Sequence, residues 1–116
     1  MRTQPFRASL RTAVTSAVAT LALAMSCHAH AAEFEVVQLN KAFGTTELKV
    51  KIGDTVSFKN ADPFMHNIFS LSDAKTFDLG SYPAGQSRPV SFDKPGTVEV
   101  ECALHPGMKM TILVRK

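Results

Sequence analysis

Four side chains that can bind a soft metal ion lie within nine residues of one another near the C-terminus: Cys102, His105, Met108 and Met110. Copper prefers this donor set, because thiolate and thioether sulfur are polarisable ligands and imidazole nitrogen complements them. One short loop cannot surround a metal ion, so a further nitrogen ligand must come from upstream. His66 is the only other histidine beyond the N-terminal 31 residues. The sequence therefore predicts a copper site.

A copper ion that only transfers electrons should keep nearly the same geometry as Cu(II) and as Cu(I). Two imidazoles and a thiolate in a trigonal plane, with a long and weak axial thioether bond, meet this requirement. The chain supplies His66, Cys102 and His105 for the plane. We therefore expect one copper ion bound by these three residues.

Short strands must position these ligands, because apolar and polar residues alternate with a period of two along most of the chain. Val98, Val100 and Cys102 share one face of the clearest strand, which points Cys102 toward the interior. Gly53-Asp54 is predicted to be a hairpin-like break, and Leu71–Gln86 to be irregular. Strands are predicted at residues 33–39, 48–52, 55–59, 66–70, 87–92, 97–102 and 111–114. This pattern favours an all-β sandwich or barrel.

Residues 1–31 have the features of a secretory signal peptide. Three arginines precede an apolar stretch at residues 13–25, which is shorter than the ~20 residues that span a bilayer. Ala29-His30-Ala31 follows as a small-x-small cleavage pattern. We therefore expect cleavage after Ala31 and a periplasmic location, without a stable membrane span. Two alternatives remain: an uncleaved anchor helix, and a lipoprotein attached through Cys27.

The predicted mature chain, residues 32–116, is one small domain with balanced charge. Three of the thirteen basic residues lie in the leader, which has no acidic residue, so ten basic and ten acidic residues remain. There is no basic stripe with interleaved aromatic residues, and nucleic-acid binding is therefore not expected. Cys102 is the only cysteine of this part. A lone thiol in an oxidising compartment is expected to be ligated or inertly buried.

Two motifs frame the candidate ligands: Cys102-x-x-His105-Pro106-x-Met108 and, upstream, Asn60-x-Asp62-x-x-x-His66-Asn67. They resemble those of the cupredoxins, or blue copper proteins, and most closely their amicyanin and plastocyanin-like branch. The segments 77–80 and 92–96 are similar to bacterial plastocyanin-like proteins labelled as methylamine utilisation proteins.

This resemblance implies a single-domain Greek-key β-sandwich with one type 1 copper at one end. It implies that His66, Cys102 and His105 are the strong ligands and that a methionine is the axial ligand. Asn67 would tie the His66 strand to the Cys102 loop by hydrogen bonds, and such bonds orient ligands and tune the metal. The ring edge of His105 would reach the surface and give electrons a short exit.

Two methionines compete for the axial position. Met108 has the spacing of the short amicyanin-like loop, whereas Met110 has the longer plastocyanin-like spacing. If Met110 were the ligand, only residues 111–116 would remain to leave the loop and form the closing strand. We therefore predict Met108 as the axial ligand, with Met110 as the alternative.

Phe64, Met65, Pro106 and Gly107 are predicted to form an apolar rim around His105, on which redox partners dock. The resulting function is a periplasmic, monomeric electron-transfer protein that cycles between Cu(II) and Cu(I) with transient donor and acceptor proteins. It is not expected to be an enzyme, because protein ligands fill all four copper positions. The alternative is a copper-binding module for delivery, although the mature chain lacks the runs of exposed Met or His that such a role favours.

Overall fold

The structure is a computed structural model that describes residue 3, residues 15–24 and residues 30–116. Most of the predicted leader, including Cys27, lies outside the described residues, so signal cleavage and lipidation stay predictions. Among the described residues, no helix is long and apolar enough to cross a membrane.

The described part of the chain forms nine β-strands and no α-helix, which confirms the predicted all-β class. The strands are β1 (Glu33–Leu39), β2 (Ala42–Phe43), β3 (Glu47–Lys51), β4 (Thr55–Asn60), β5 (His66–Ser72), β6 (Lys75–Tyr82), β7 (Ser87–Ser91), β8 (Gly96–Cys102) and β9 (Lys109–Arg115).

These strands form two sheets, with the orders β2-β1-β4-β7 and β3-β9-β8-β5-β6. The pairs β1–β4 and β3–β9 are parallel, and the other pairs are antiparallel. The core lies between the sheets because alternate residues of each strand point inward. In β8, Val98, Val100 and Cys102 are buried as predicted, whereas Glu99 is exposed.

The prediction that residues 71–86 are irregular is wrong for its central part, which forms the eight-residue strand β6. This strand lies at the edge of the five-stranded sheet and pairs only with β5 among the described strands. An edge strand needs little apolar alternation because part of its surface stays in solvent. Phe77 and Leu79 alone pack against the core from its middle, so the sequence signal was weak.

Gly53 and Asp54 do not close a hairpin, because β3 and β4 belong to different sheets. Gly53 has a φ of 95°, and Asp54 accepts a hydrogen bond of 2.7 Å from the backbone N–H of Lys51. The chain uses this turn to pass from one sheet to the other.

Asn40 and Lys41 form the two-residue turn between β1 and β2, since Leu39 pairs with Ala42. Their φ values are 55° and 57°. Two consecutive positive φ angles define the type I′ turn that suits the twist of paired strands. Lysine rarely adopts this conformation, so the turn requires support from its surroundings.

Candidate copper site

His66 is the first residue of β5 and is fully buried. Its Nε2 atom lies 2.7 Å from Oδ2 of Asp62. A carboxylate accepts hydrogen bonds, so Nε2 carries the proton and donates to Asp62. The Nδ1 atom is then left without a proton in the neutral ring, and its lone pair is available to a metal ion.

Cys102 is the last residue of β8 and lies beside Ile68 of β5 in the same sheet. The backbone N–H of Ala103 donates to the carbonyl oxygen of Asn67 over 2.9 Å. The connection between the His66 strand and the Cys102 loop therefore runs through the Asn67 backbone. The buried side-chain oxygen Oδ1 of Asn67 has no hydrogen-bond partner among the described residues.

The loop between β8 and β9 folds back on itself and brings His105 to the same point. The N–H of Met108 donates to the carbonyl oxygen of His105 over 2.9 Å, and the N–H of Cys102 donates to the carbonyl oxygen of Met108 over 3.3 Å. His105 is half-buried, in contrast to His66. The loop thus places one imidazole at the protein surface.

The three predicted ligands converge in a triangle of donor atoms. Sγ of Cys102 lies 3.7 Å from Nδ1 of His66 and 3.6 Å from Nδ1 of His105, and the two Nδ1 atoms are 3.2 Å apart. At 120°, bonds of roughly 2.0 Å to nitrogen and 2.3 Å to sulfur place two nitrogen donors roughly 3.5 Å apart and a nitrogen and a sulfur donor roughly 3.7 Å apart. The triangle therefore fits a single copper ion in a His₂Cys plane.

Met108 and Met110 are both buried, but they occupy different structural contexts. Met108 lies in the loop, directly before β9. Met110 lies within β9, where it is paired with Val100 of β8. The side chain of Met110 belongs to the same inward-facing row as Ile112 and Val114.

The connection between β4 and β5 is held by a network of buried polar groups. The Oδ1 atom of Asn60 accepts from the N–H of Asp62 over 2.9 Å. The Nδ2 group of Asn60 donates to the carbonyl oxygens of Phe64 and Tyr82 over 2.8 and 3.0 Å. This network fixes the backbone on both sides of Asp62 and therefore the approach of that carboxylate to His66.

Electrostatics at the site favour a neutral His105 and an ionised Asp62. Partial burial, and then the nearby His66 and Lys41, lower the pKa of His105. Burial alone would raise the pKa of Asp62, but hydrogen bonds from the Lys41 N–H, His66 and the Asn40 N–H outweigh it and lower that pKa. A neutral imidazole is the form that binds a metal ion.

The surface around His105 is apolar. We call it the collar, and it consists of Phe64, Leu104, Pro106 and Gly107, which contact His105 or line the cleft beside it. Met65, which was also predicted for this rim, directly follows Phe64 in the chain. Met65 and Leu104 are about half exposed, at 50% and 52%. The Phe64 ring centroid lies 5.4 Å from the centroids of both His66 and His105, so Phe64 packs on the two imidazoles.

Lys41 lies at the edge of the collar. It lines a shallow cleft of about 300 Å³ together with Leu104, His105 and the residues that follow. Neither Lys41 nor Leu104 was identified from the sequence. Lys41 was missed because a type I′ turn more than sixty residues upstream gives no local sign of its proximity to the loop. The contact from Asp62 to His66 was also missed, although its four-residue spacing was visible.

A β-sandwich in which two histidines and one cysteine converge at one end is a copper protein of the cupredoxin class. The model of the copper-binding proteins of the plastocyanin/azurin family matches residues 30–115, a range that includes all nine strands. The chain therefore belongs to this family.

Two relatives and one solved structure support the assignment. Amicyanin-alpha of Methylorubrum extorquens is 31% identical over 118 residues, covering 98% of this chain and 99% of the relative. The methylamine utilization protein MauL of the same organism is 30% identical over 95 residues, covering 78% of this chain and 83% of the relative. The structure of a reduced Cu(I) amicyanin variant superimposes with a TM-score of 0.66 and 26% identity, covering 72% of this chain and 82% of that one.

Proposed function

We propose that this protein is an exported, monomeric carrier of single electrons that docks transiently to donor and acceptor proteins in the periplasm. His66, Cys102 and His105 would hold one type 1 copper ion in their plane, and Met108 would be the axial ligand. The observation that carries the proposal is the triangle of one sulfur and two nitrogen atoms with sides of 3.2–3.7 Å. The bound copper supplies the one-electron change between Cu(II) and Cu(I).

The role of the chain is to keep the donor atoms in place through that change. Cys102 is fixed by the β8 ladder, His66 by Asp62, and His105 by the hydrogen bond from Met108 N–H to its carbonyl oxygen. Ligands fixed in this way need little rearrangement when an electron arrives or leaves. This supports a carrier rather than an enzyme.

The collar supports transfer through His105. That imidazole is half-buried and contacts Phe64, and exposed apolar side chains lie beside it. An apolar patch of this kind suits a small, short-lived interface, because weak redox complexes bury little surface. The relationship to amicyanin and to MauL supports a redox protein as the partner and the periplasm as the location.

The test is the visible and EPR spectrum of the chain from Ala32 onward after addition of Cu(II). An intense thiolate-to-copper band with narrow copper hyperfine splitting, bleached by ascorbate, is the expected result. Cys102→Ser is the matched control and should remove the band. A pale spectrum with wide splitting, or binding of Cu(I) alone, would overturn the carrier and favour a copper-delivery module.

A further inference from the structure

Asp62 is a buried carboxylate with three hydrogen-bond donors. Its Oδ1 atom accepts from the N–H of Asn40 over 2.7 Å. Its Oδ2 atom accepts from the N–H of Lys41 over 3.1 Å and from Nε2 of His66 over 2.7 Å. The residue is only 2% exposed, so these donors take the place of water. One carboxylate thus joins a copper ligand to a turn in another sheet.

Each side of this arrangement has a physical consequence. A carboxylate that accepts the Nε2 proton fixes the imidazole tautomer and makes the ring a stronger donor. On the other side, the positive φ angles of Asn40 and Lys41 direct consecutive N–H groups at the carboxylate. A hydrogen bond to an ionised acceptor is worth more than one to a neutral acceptor. The carboxylate therefore compensates the cost of the turn.

We propose that Asp62 is the positioning residue that sets the balance between Cu(II) and Cu(I) through His66, and that the same carboxylate holds Lys41 at the collar. This inference rests on the proposed copper site. A stronger imidazole donor and a fixed negative charge nearby both stabilise Cu(II) relative to Cu(I). Asp62 therefore lowers the reduction potential.

Asp54 is a matched control within the same chain. It is also a buried carboxylate, 6% exposed, and it also accepts two backbone N–H groups at a turn, from Ala32 and Lys51. Neither of these two donors belongs to a predicted copper ligand. Replacing either aspartate by asparagine should lower the stability of the fold, but only Asp62→Asn should alter the copper site.

The experiment measures the reduction potential by voltammetry and, in copper-free protein, the tautomer of His66 by ¹⁵N NMR. Asp62→Asn should shift the equilibrium between Cu(II) and Cu(I) at least tenfold toward Cu(I). For one electron, a tenfold shift is a rise of about 59 mV in the reduction potential. It should also turn the Nε2–H tautomer of His66 into a mixture. Asp54→Asn should leave both readouts unchanged. An unchanged potential and tautomer in Asp62→Asn would overturn the proposal, even if stability fell.

A second pair of variants covers the case in which Asp62→Asn unfolds. Lys41→Gly provides the Asn-Gly sequence that type I′ turns favour and removes the need for the carboxylate at the turn. The potential of Lys41→Gly is then compared with that of Lys41→Gly/Asp62→Asn, and the same rise is expected. Failure of the copper site itself would show as a missing type 1 spectrum in the unaltered protein, whereas the tautomer measurement needs no copper.

A separate observation concerns the start of β1. The backbone nitrogen of Ala32 donates to Oδ1 of Asp54 over 2.8 Å, and the carbonyl oxygen of Ala32 accepts from the N–H of Thr55 over 3.0 Å. The predicted cleavage site lies directly before this nitrogen. We infer that hydrolysis of the Ala31–Ala32 peptide bond creates an α-ammonium group that pairs with Asp54, while Ala31 leaves as the carboxylate end of the leader.

The test compares the chain that begins at Ala32 with the same chain carrying an N-terminal acetyl group. Acetylation keeps an N–H on Ala32 and removes only its charge. The free amine should lower the unfolding equilibrium constant severalfold at low salt, since ion pairs at a protein surface are modest and screened. Asp54→Asn should abolish the difference. Equal stability of the two chains, or a difference that persists in Asp54→Asn, would overturn this inference.

Discussion

The ammonium group of Lys41 lies 5.7 Å from the centre of the Phe64 ring, and the Phe64 ring in turn packs on His105. A cation at this distance over an aromatic face is attracted to it. The backbone of the turn that carries Lys41 is held by Asp62. The collar is therefore an apolar surface with a positive charge at its edge.

We predict that Lys41→Gln changes the rate at which small charged oxidants react with the reduced protein. Oxidation by hexacyanoferrate(III), an anion, should slow severalfold at low salt, whereas oxidation by the cation tris-phenanthroline cobalt(III) should become faster. The positive charge of Lys41 attracts the anion and repels the cation near His105, and the substitution removes both effects. Salt at 0.1 M screens such interactions beyond about 10 Å. Stopped-flow absorbance of the copper band measures both rates.

Lys75→Gln is the control for that experiment. Lys75 lies opposite Ser72, at the end of β5 that is far from His66, and pairs with Asp93 over 3.7 Å. Its replacement removes the same charge from the molecule but not from the collar. Equal effects of the two substitutions would mean that net charge, and not Lys41, controls the reaction.

Replacing each candidate axial methionine by glutamine should separate their roles. Met108→Gln should lower the reduction potential, because an amide oxygen favours Cu(II) more than a thioether does and the axial ligand tunes the potential of such sites. Met110→Gln should mainly reduce stability, by about 1–3 kcal/mol, since it buries a polar amide in the inward-facing row of β9, beside Val100 of β8. Voltammetry and thermal unfolding give the two readouts. A larger potential shift in Met110→Gln would make Met110 the ligand.

Tyr82 connects the two sheets through its buried hydroxyl. The hydroxyl accepts from Nε2 of Gln38 over 2.7 Å and donates to the carbonyl oxygen of Phe58 over 2.9 Å. Tyr82→Phe removes the partner of both groups and should cost about 1–3 kcal/mol of unfolding free energy. Denaturant unfolding measures this loss.

Gln38→Leu in the same background should recover part of the loss. It removes the amide whose N–H group Tyr82→Phe leaves without an acceptor. No other side-chain hydrogen bond is lost, because Oε1 of Gln38 already has no partner among the described residues. A double variant that is no more stable than Tyr82→Phe alone would contradict this explanation.

Asp54 should make the fold sensitive to acid. Hydrogen bonds from the Lys51 N–H and the Ala32 N–H lower its pKa in the folded chain. The unfolded chain has the ordinary value of about 3.9. The carboxylate therefore contributes stability that is fully present above that value and is lost as the pH falls through the lowered folded pKa.

The corresponding measurement is the difference in melting temperature between the unaltered protein and Asp54→Asn at several pH values. The difference should be constant from pH 6 to about 5 and should shrink below about pH 4. Groups that titrate in both proteins cancel in this comparison. A difference that grows on acidification would contradict the assignment.

The sequence predicted the parts of the site that depend on local pattern. Alternation along β8 placed Cys102 inside, and the short loop after it brought His105 to the same point. The contacts that cross between sheets were not predictable in this way. Lys41 reaches the collar because β1 pairs in parallel with β4 and the turn after β1 is held by Asp62. These are properties of the assembled sandwich.

Strand β6 was missed for a different reason. Sequence patterns identify strands by their buried face, whereas the residues of β6 before the buried Tyr82 are only half-buried or exposed at a sheet edge. Gly80, with a φ of 69°, further weakens its resemblance to a strand. The hydrogen bonds to β5 are therefore what define it.

The position of β9 has a consequence for the order in which the protein is completed. This strand follows the other eight in the chain, yet it lies between β3 and β8 inside its sheet. Without residues 109–115, β3 and β8 have a gap between them, and the loop before β9 has no anchor on one side. The pocket that brings the three ligands together is therefore complete only once β9 has inserted between β3 and β8.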